Sequence, residues 1–208
     1  VSSTPVPPPA AFTAAAERLR SSLLRSELVV REIPAPERIA PHSIAFAAGI
    51  REGKSAESEA VLDSPAGAGR FVLMYDPDSS EEWGGSFRVV CYAQAPLELE
   101  IGVDPFISDV AWSWLVDALS SRKASYTFLS GTATKVLSSS FGTLEARGDS
   151  SQIELRASWT PQGEDIRAHI EAWSELLCLL AGFPHQEGVA SLVHHRTKSK
   201  RPTTPHER

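Results

Sequence analysis

The segment that most constrains this chain is Arg70-Phe-Val-Leu-Met-Tyr-Asp-Pro77, which leads through an acidic stretch to Trp83-Gly-Gly-Ser-Phe-Arg-Val-Val90. Two runs rich in β-branched and aromatic residues, separated by a short polar linker with paired glycines, read as strand, turn, strand. Gly84-Gly85 reads as a turn that needs positive φ, not as a phosphate cradle. Phe87, Val89 and Cys91 share one side of the second run, because side chains alternate along a strand. Arg88 then faces the other side, where it either pairs with Asp76 across the turn or points into a polar cleft. The segment fixes an antiparallel pair and names no reaction.

The rest of the chain supplies elements that fit around this pair. Phe12, Ala15, Ala16, Leu19 and Leu23 fall at helical spacing and predict a first helix ending near Ser26, with Pro8 and Pro9 in the tolerant first turn. Two strands are expected at Leu28 to Ile33 and Ser43 to Ile50, then a polar loop from Gly53 to Gly69. Leu97, Leu99 and Ile101 alternate with Glu98 and Glu100, which reads as a half-buried strand or an extension of the second strand of the pair, broken by Asp104-Pro105. Ser108 or Asp109 caps a second helix reaching about Arg122. On it Trp112 and Trp114 lie ~200° apart and cannot both face one core. Tyr126 to Phe141 suits a long or broken strand with a bulge at Ser130-Gly-Thr132. Ile153, Leu155, Ala157 and Trp159 alternate with polar residues in a strand that Pro161 ends. Ile166, Ile170, Trp173, Leu177 and Leu180 define a third helix, closed by Gly182 and Pro184.

Strands in consecutive runs between helices predict an α+β fold, with a mainly antiparallel sheet carrying three helices largely on one face. One domain is expected over residues 10–184, between a disordered leader (1–9) and a flexible basic tail (185–208). Tyr75-Asp-Pro77 and Trp159-Thr-Pro161 hint at a weak internal duplication, which chance similarity explains equally well.

At 208 residues the chain suits one sizeable core. Its net charge of −6 argues against a dominant nucleic-acid surface. The charge is uneven: five Lys/Arg against two Asp/Glu from Phe183 onward give about +3 there, leaving about −9 on the remainder. Cys91 and Cys178 both sit among apolar residues and read as reduced core thiols, with a disulfide or redox pair as the alternative. No stretch approaches the ~18 apolar residues of a membrane span. The N-terminus lacks the basic and apolar regions of a signal peptide, so a cytoplasmic protein is expected.

Several segments resemble a known family. Arg70-Phe-Val-Leu-Met-Tyr-Asp-Pro77, Trp83-x-Gly-x-Phe-Arg-Val-Val90, Trp112-Ser-Trp-Leu115, Arg156-Ala-Ser-Trp-Thr-Pro161 and Ala172-Trp-x-Glu-Leu-Leu177 are together similar to an uncharacterised actinobacterial domain-of-unknown-function family, number three thousand in its catalogue. Glu32-Ile-Pro-Ala-Pro36 is similar as well, and the resemblance covers roughly residues 12–184. It implies a single cytoplasmic domain and transfers no catalytic residue. Gene neighbourhood with a ribonuclease-D-like protein implies a link to RNA metabolism by association only.

The candidate chemistry is sparse. Asp76-Pro-Asp-Ser-Ser-Glu-Glu82 opens like a calcium loop, but Glu81 and Phe87 stand where that loop needs Gly and Glu, so a solvated acidic turn is the plainer reading. His185, His194, His195 and His206 lack the spacing of a metal cage. His169 reads as a helix-surface partner of Asp165, or as a general base. The hydrolase signature Gly-x-Ser-x-Gly, the zinc motif His-Glu-x-x-His and both nucleotide-binding glycine motifs are absent. No catalytic residue, metal or cofactor is therefore assigned.

Tyr75, Asp76, Trp83, Arg88, Trp112 and Trp159 are the candidate binding residues, with ordinary core anchoring as the alternative for the aromatics. Arg196, Lys198, Lys200 and Arg201 form a basic tail able to attract phosphate. The leading expectation is a non-catalytic cytoplasmic binding or adaptor protein with a protein partner. An RNA-associated protein comes next, then a hydrolase or transferase in which Asp76, Arg88 and His169 converge in one cleft.

Overall fold

A computed structural model describes residues 7–52, 59–163 and 165–185. Within them, strands β1 (Leu28–Ile33), β2 (His42–Ile50), β3 (Ala68–Tyr75), β4 (Phe87–Leu97), β5 (Tyr126–Ser138) and β6 (Ser150–Pro161) form one sheet in the order β1-β2-β3-β4-β6-β5. Every neighbouring pair is antiparallel. Helices α1 (Ala10–Arg20), α4 (Ile107–Ser121) and α5 (Arg167–Leu180) are the long ones, and α2 (Ser80–Trp83) and α3 (Leu99–Gly102) are single turns. The fold is α+β. The expected disordered leader lies outside the described residues up to position 6, as does the basic tail from 186 onward.

The alternation in β4 and β6 divides the sheet into two unlike faces. Phe71 and Leu73 of β3, Val89, Cys91 and Ala93 of β4, and Ile153, Leu155 and Trp159 of β6 are buried together with Leu19, Ala111, Leu115 and Trp173 from the three long helices. The central helix is α5, whose residues from Ala168 to Leu180 are buried on every side apart from Glu171. Such all-round burial marks a helix inside a core rather than on its surface. Trp173 anchors it, with its ring 5.7 Å from Phe71 and its indole N–H donated to the Tyr92 carbonyl at 3.0 Å. Rings of this size bury ~150–250 Å² each and dominate a core of this kind.

Several expected boundaries move. Helix α1 stops at Arg20, short of Ser26, and Leu23 is left 85% exposed. The chain turns there because Arg25 is drawn inward: its side chain is 2% exposed and donates to both oxygens of Glu175 on α5, to Glu27, and to the Pro184 carbonyl. Arg122 at the end of α4 reaches Glu171 and Glu175 at 3.2 and 3.4 Å. This ion network ties three chain segments to α5. It raises the Arg25 pKa, chiefly through the Glu27 hydrogen bond, and lowers that of Glu27 to about 2.

Leu99 and Ile101 do not extend β4. They belong to α3 and are each just over 40% exposed, because Ser151 donates to the Leu97 and Glu98 carbonyls and turns the chain away from the ladder. The expected loop of residues 53–69 falls partly outside the described residues. Its part from Glu59 to Asp63 is a 3-10 turn, and Val61 and Leu62 there pack on Val29 and Ala47. That turn covers the β1–β2 half of the helix-free face. The half built from β3, β4, β6 and β5 stays open.

Candidate functional site

The open half of the sheet carries a groove of about 530 Å³ lined by Met74, Glu82, Trp83, Arg88, Val90, Phe128, Leu129, Ser130 and Ser158. A second depression of about 480 Å³ shares Val90, Ser130 and Ser158 with it and adds Thr132 and Arg156. Together they form one trough across β4, β6 and β5, floored by Val90 and hydroxyl side chains and open to solvent along its length.

Pairing puts these residues in one place. Val90 lies opposite Ser158, and Ser158 opposite Ser130. Alternation then sends Arg88, Val90, Ser158 and Ser130 to the same face. Arg88 is half-buried, and its guanidinium donates to the Phe128 carbonyl (3.2 Å), the Thr160 hydroxyl (3.0 Å) and the Ser158 hydroxyl (2.7 Å). Thr160 in turn donates to the Trp83 carbonyl, and Ser158 is 3.3 Å from Ser130. Arg88 meets no carboxylate among the described residues, and burial alone pushes its pKa down. Arg20 and Arg25 shift the other way, each beside a carboxylate. A guanidinium carries five N–H donors, so two remain for a ligand.

The rim is built from strained backbone. The register of β5 against β6 slips between Thr127 and Ser130. Phe128 in that slip has φ 51°, uncommon for a bulky side chain, and the residue is 62% exposed. The bulge thus precedes the expected Ser130-Gly-Thr132. Gly131 instead stays in register, where a Cβ would stand 2.6 Å from the Trp112 ring. Gly84 has φ 73°, as the turn reading requires, and a Cβ there would stand 2.2 Å from the Phe128 ring. Phe128 therefore rests on a bare glycine beside Trp83. Gln162 holds the same corner through the Gly84 carbonyl (3.4 Å) and the Thr127 hydroxyl (3.2 Å).

Of the residues singled out from sequence, the structure brings Trp83 and Arg88 together in this groove. Asp76 does not pair with Arg88. Its two oxygens accept from the Asp78 N–H (3.0 Å) and the Ser79 hydroxyl (2.8 Å), closing its own turn. Tyr75 is on the helix-bearing face, packed on Phe87 at 4.8 Å and near Phe12 and His42. Trp112 and Trp114 are both half-buried against the core, so neither is freely offered to a partner.

Two readings are corrected outright. Trp159 lines no surface: it is fully buried and donates its indole N–H to His169 Nδ1 at 3.0 Å. His169 is no surface partner of Asp165: it is fully buried, and burial, partly opposed by the Asp165 charge, pushes its pKa down to about 4. Because the indole only donates, His169 carries its own proton on Nε2, which has no partner. Asp76, Arg88 and His169 therefore lie in a turn, on the open face and on the core side of α5, and share no cleft. Arg196, Lys198, Lys200 and Arg201 lie outside the described residues.

Sequence reasoning missed Ser130, Ser158, Phe128 and Val90. The signal available was the outward phase of β4 and β6, which marks Val90 and Ser158 as neighbours of Arg88 once the two strands are known to pair. Among the described residues, no group of three or more His, Cys, Asp or Glu side chains is arranged to hold a metal ion, and no helix is long and apolar enough to cross a membrane.

A six-stranded antiparallel sheet with helices on one face and a polar, arginine-bearing trough on the other defines an α+β domain. Over residues 8–190 the chain matches the family described as "Protein of unknown function (DUF3000)", and it belongs to that family. No curated protein and no solved structure matches it.

Proposed function

We propose that this protein is a non-catalytic cytoplasmic adaptor that receives an acidic segment of a partner protein in the trough around Arg88. The single observation behind this reading is a half-buried guanidinium with neutral acceptors only, facing an open groove. A charge withdrawn from water is costly unless an opposite charge meets it. A carboxylate from a partner would take the two free donors, and Trp83, Phe128 and Val90 offer apolar contact on either side. The trough has no roof, so it suits a chain segment better than a small molecule that must be mostly enclosed. Cys91 and Cys178, buried and unpaired, fit a reducing compartment.

The test is titration of isotope-labelled full-length protein with an aspartate- and tyrosine-containing peptide. Amide shifts are expected at Val90, Ser130 and Ser158. Arg88→Gln should weaken binding by tenfold or more, since hydrogen bonds to charged groups contribute about 1.5–3 kcal/mol. Single-stranded RNA is the second probe. Binding of RNA that depends on residues 196–201, with no peptide effect at the trough, would replace this reading.

A further inference from the structure

Thirteen large apolar side chains stand exposed among the described residues, and nine of them lie in two segments, 99–110 and 136–144. The two segments meet at one end of β5. Lys135 donates to the Asp104 carbonyl at 2.9 Å, and the Leu137 side chain lies 3.4 Å from where a Cβ on Gly102 would stand. Val103, Phe106, Leu137 and Phe141 are 59%, 67%, 54% and 81% exposed. Val136 points to the opposite face from Leu137. The other eight, 38–81% exposed, leave several hundred Å² of apolar surface in water, the order of one partner's share of a standard protein interface.

The patch adjoins a long sheet edge. β5 is the outermost strand and runs for 13 residues, with neither proline nor acid among them. Its single charge, Lys135, is tied back to Asp104. Natural edges are usually blunted by charge, proline, bulges or shortness; on β5 the bulge at Thr127–Ser130 interrupts only the first residues, and Ser130 to Ser138 runs in unbroken register with Lys135 as its one charge. The opposite edge, β1, has 6 residues, bears Arg31 and Glu32, and is followed by Pro34 and Pro36. An unpaired antiparallel edge is complementary to itself: a twofold axis through it pairs the same strand from two copies and satisfies both rows of backbone groups.

We propose that β5 and the apolar surface at its end form a twofold interface with a second copy of this chain, joining two six-stranded sheets into one. This rests on the edge and the patch, independently of the Arg88 trough. The test is sedimentation of the full chain at tens of micromolar, with hydrogen exchange read on β5. A dimer is expected, with alternate β5 amides protected. Phe106→Glu with Phe141→Glu should raise its dissociation constant at least about a hundredfold. Circular dichroism checks that this variant is folded, and Val103→Glu replaces it if it is not. A monomer at that concentration overturns the proposal, as does a dimer indifferent to these charges or one with freely exchanging β5 amides. A chain cut after His185 should dimerise unchanged. If it is monomeric, the interface belongs to residues 186–208 and the proposal falls.

Discussion

Acid should destabilise this protein through His169 more than through any exposed histidine. The folded protein holds the imidazole neutral, with a pKa of about 4, because burial removes it from water. In the unfolded chain the same group titrates near 6.5. The unfolded state therefore binds the extra proton as pH falls through 6.5, and the folded state resists until about 4. The stabilising difference is fully present above pH 6.5 and is lost progressively below it. At 1.36 kcal/mol per unit, the loss is about 2 kcal/mol at pH 5 and about 3 kcal/mol at pH 4. Geometry agrees with the sign. Protonation of Nδ1 would break the bond from the Trp159 indole and place two donors face to face inside the core. Urea denaturation at pH 7.5 and pH 5 measures the loss, and His169→Gln, which keeps an acceptor and cannot titrate, isolates it from the carboxylates. Wild type should lose about 2 kcal/mol more than the variant across this interval. Parallel losses in the two proteins would refute the lowered His169 pKa.

Two further substitutions probe the frame of the molecule. Glu175→Ala removes one of the two carboxylates that meet the buried Arg25 and leaves Glu27 in place, so denaturation should show a loss of about 1–3 kcal/mol. A loss under about 1 kcal/mol would mean that the pair is solvated in solution. Phe128→Asn should relieve the positive φ at the groove rim, since asparagine tolerates that region, and raise stability by up to about 1 kcal/mol while weakening peptide binding. A variant that is less stable would place the ring's packing on Gly84 above the backbone strain.

The sheet was legible because its information is local. The alternation in β4 and β6 assigns inner and outer faces without knowledge of partners, and it sent Arg88 outward correctly. Strand order was not legible. Nothing local says that β6 inserts between β4 and β5, and this insertion brings Ser158 and Thr160 to Arg88. The polar residues of α5 misled for the same reason. His169 looks like part of a solvent face, but its partner, Trp159, comes from a strand, just as Glu175 on the same helix takes Arg25 from a loop 150 residues away. Polarity on a helix marks a surface only when no distant group supplies the missing bond. Trp159 shows the converse: an indole in an alternating strand was counted as a possible contact surface, yet its phase already placed it with Ile153 and Leu155 in the core.

The arginines place the trough apart from the structural charges. Arg25 and Arg122 are withdrawn from water, and they and the partly exposed Arg70 each meet a carboxylate. Arg88 is held by hydroxyls and a carbonyl, which satisfy hydrogen bonds but leave its charge uncompensated. If an acidic partner supplies the compensation, salt should separate this from phosphate binding. The chain as a whole is negative, at −6, and repels an acidic segment at long range. Salt near 0.1 M shortens the screening length to ~10 Å and removes most of that repulsion, while a partly buried contact with Arg88 is screened much less. Affinity for the acidic peptide should hold or rise between 0.01 M and 0.1 M salt. Binding of a nucleic acid through Lys and Arg would fall steeply over the same interval, because it is driven by release of counterions. A steep loss of peptide affinity with salt would mean that surface cations, and not the half-buried guanidinium, carry the recognition.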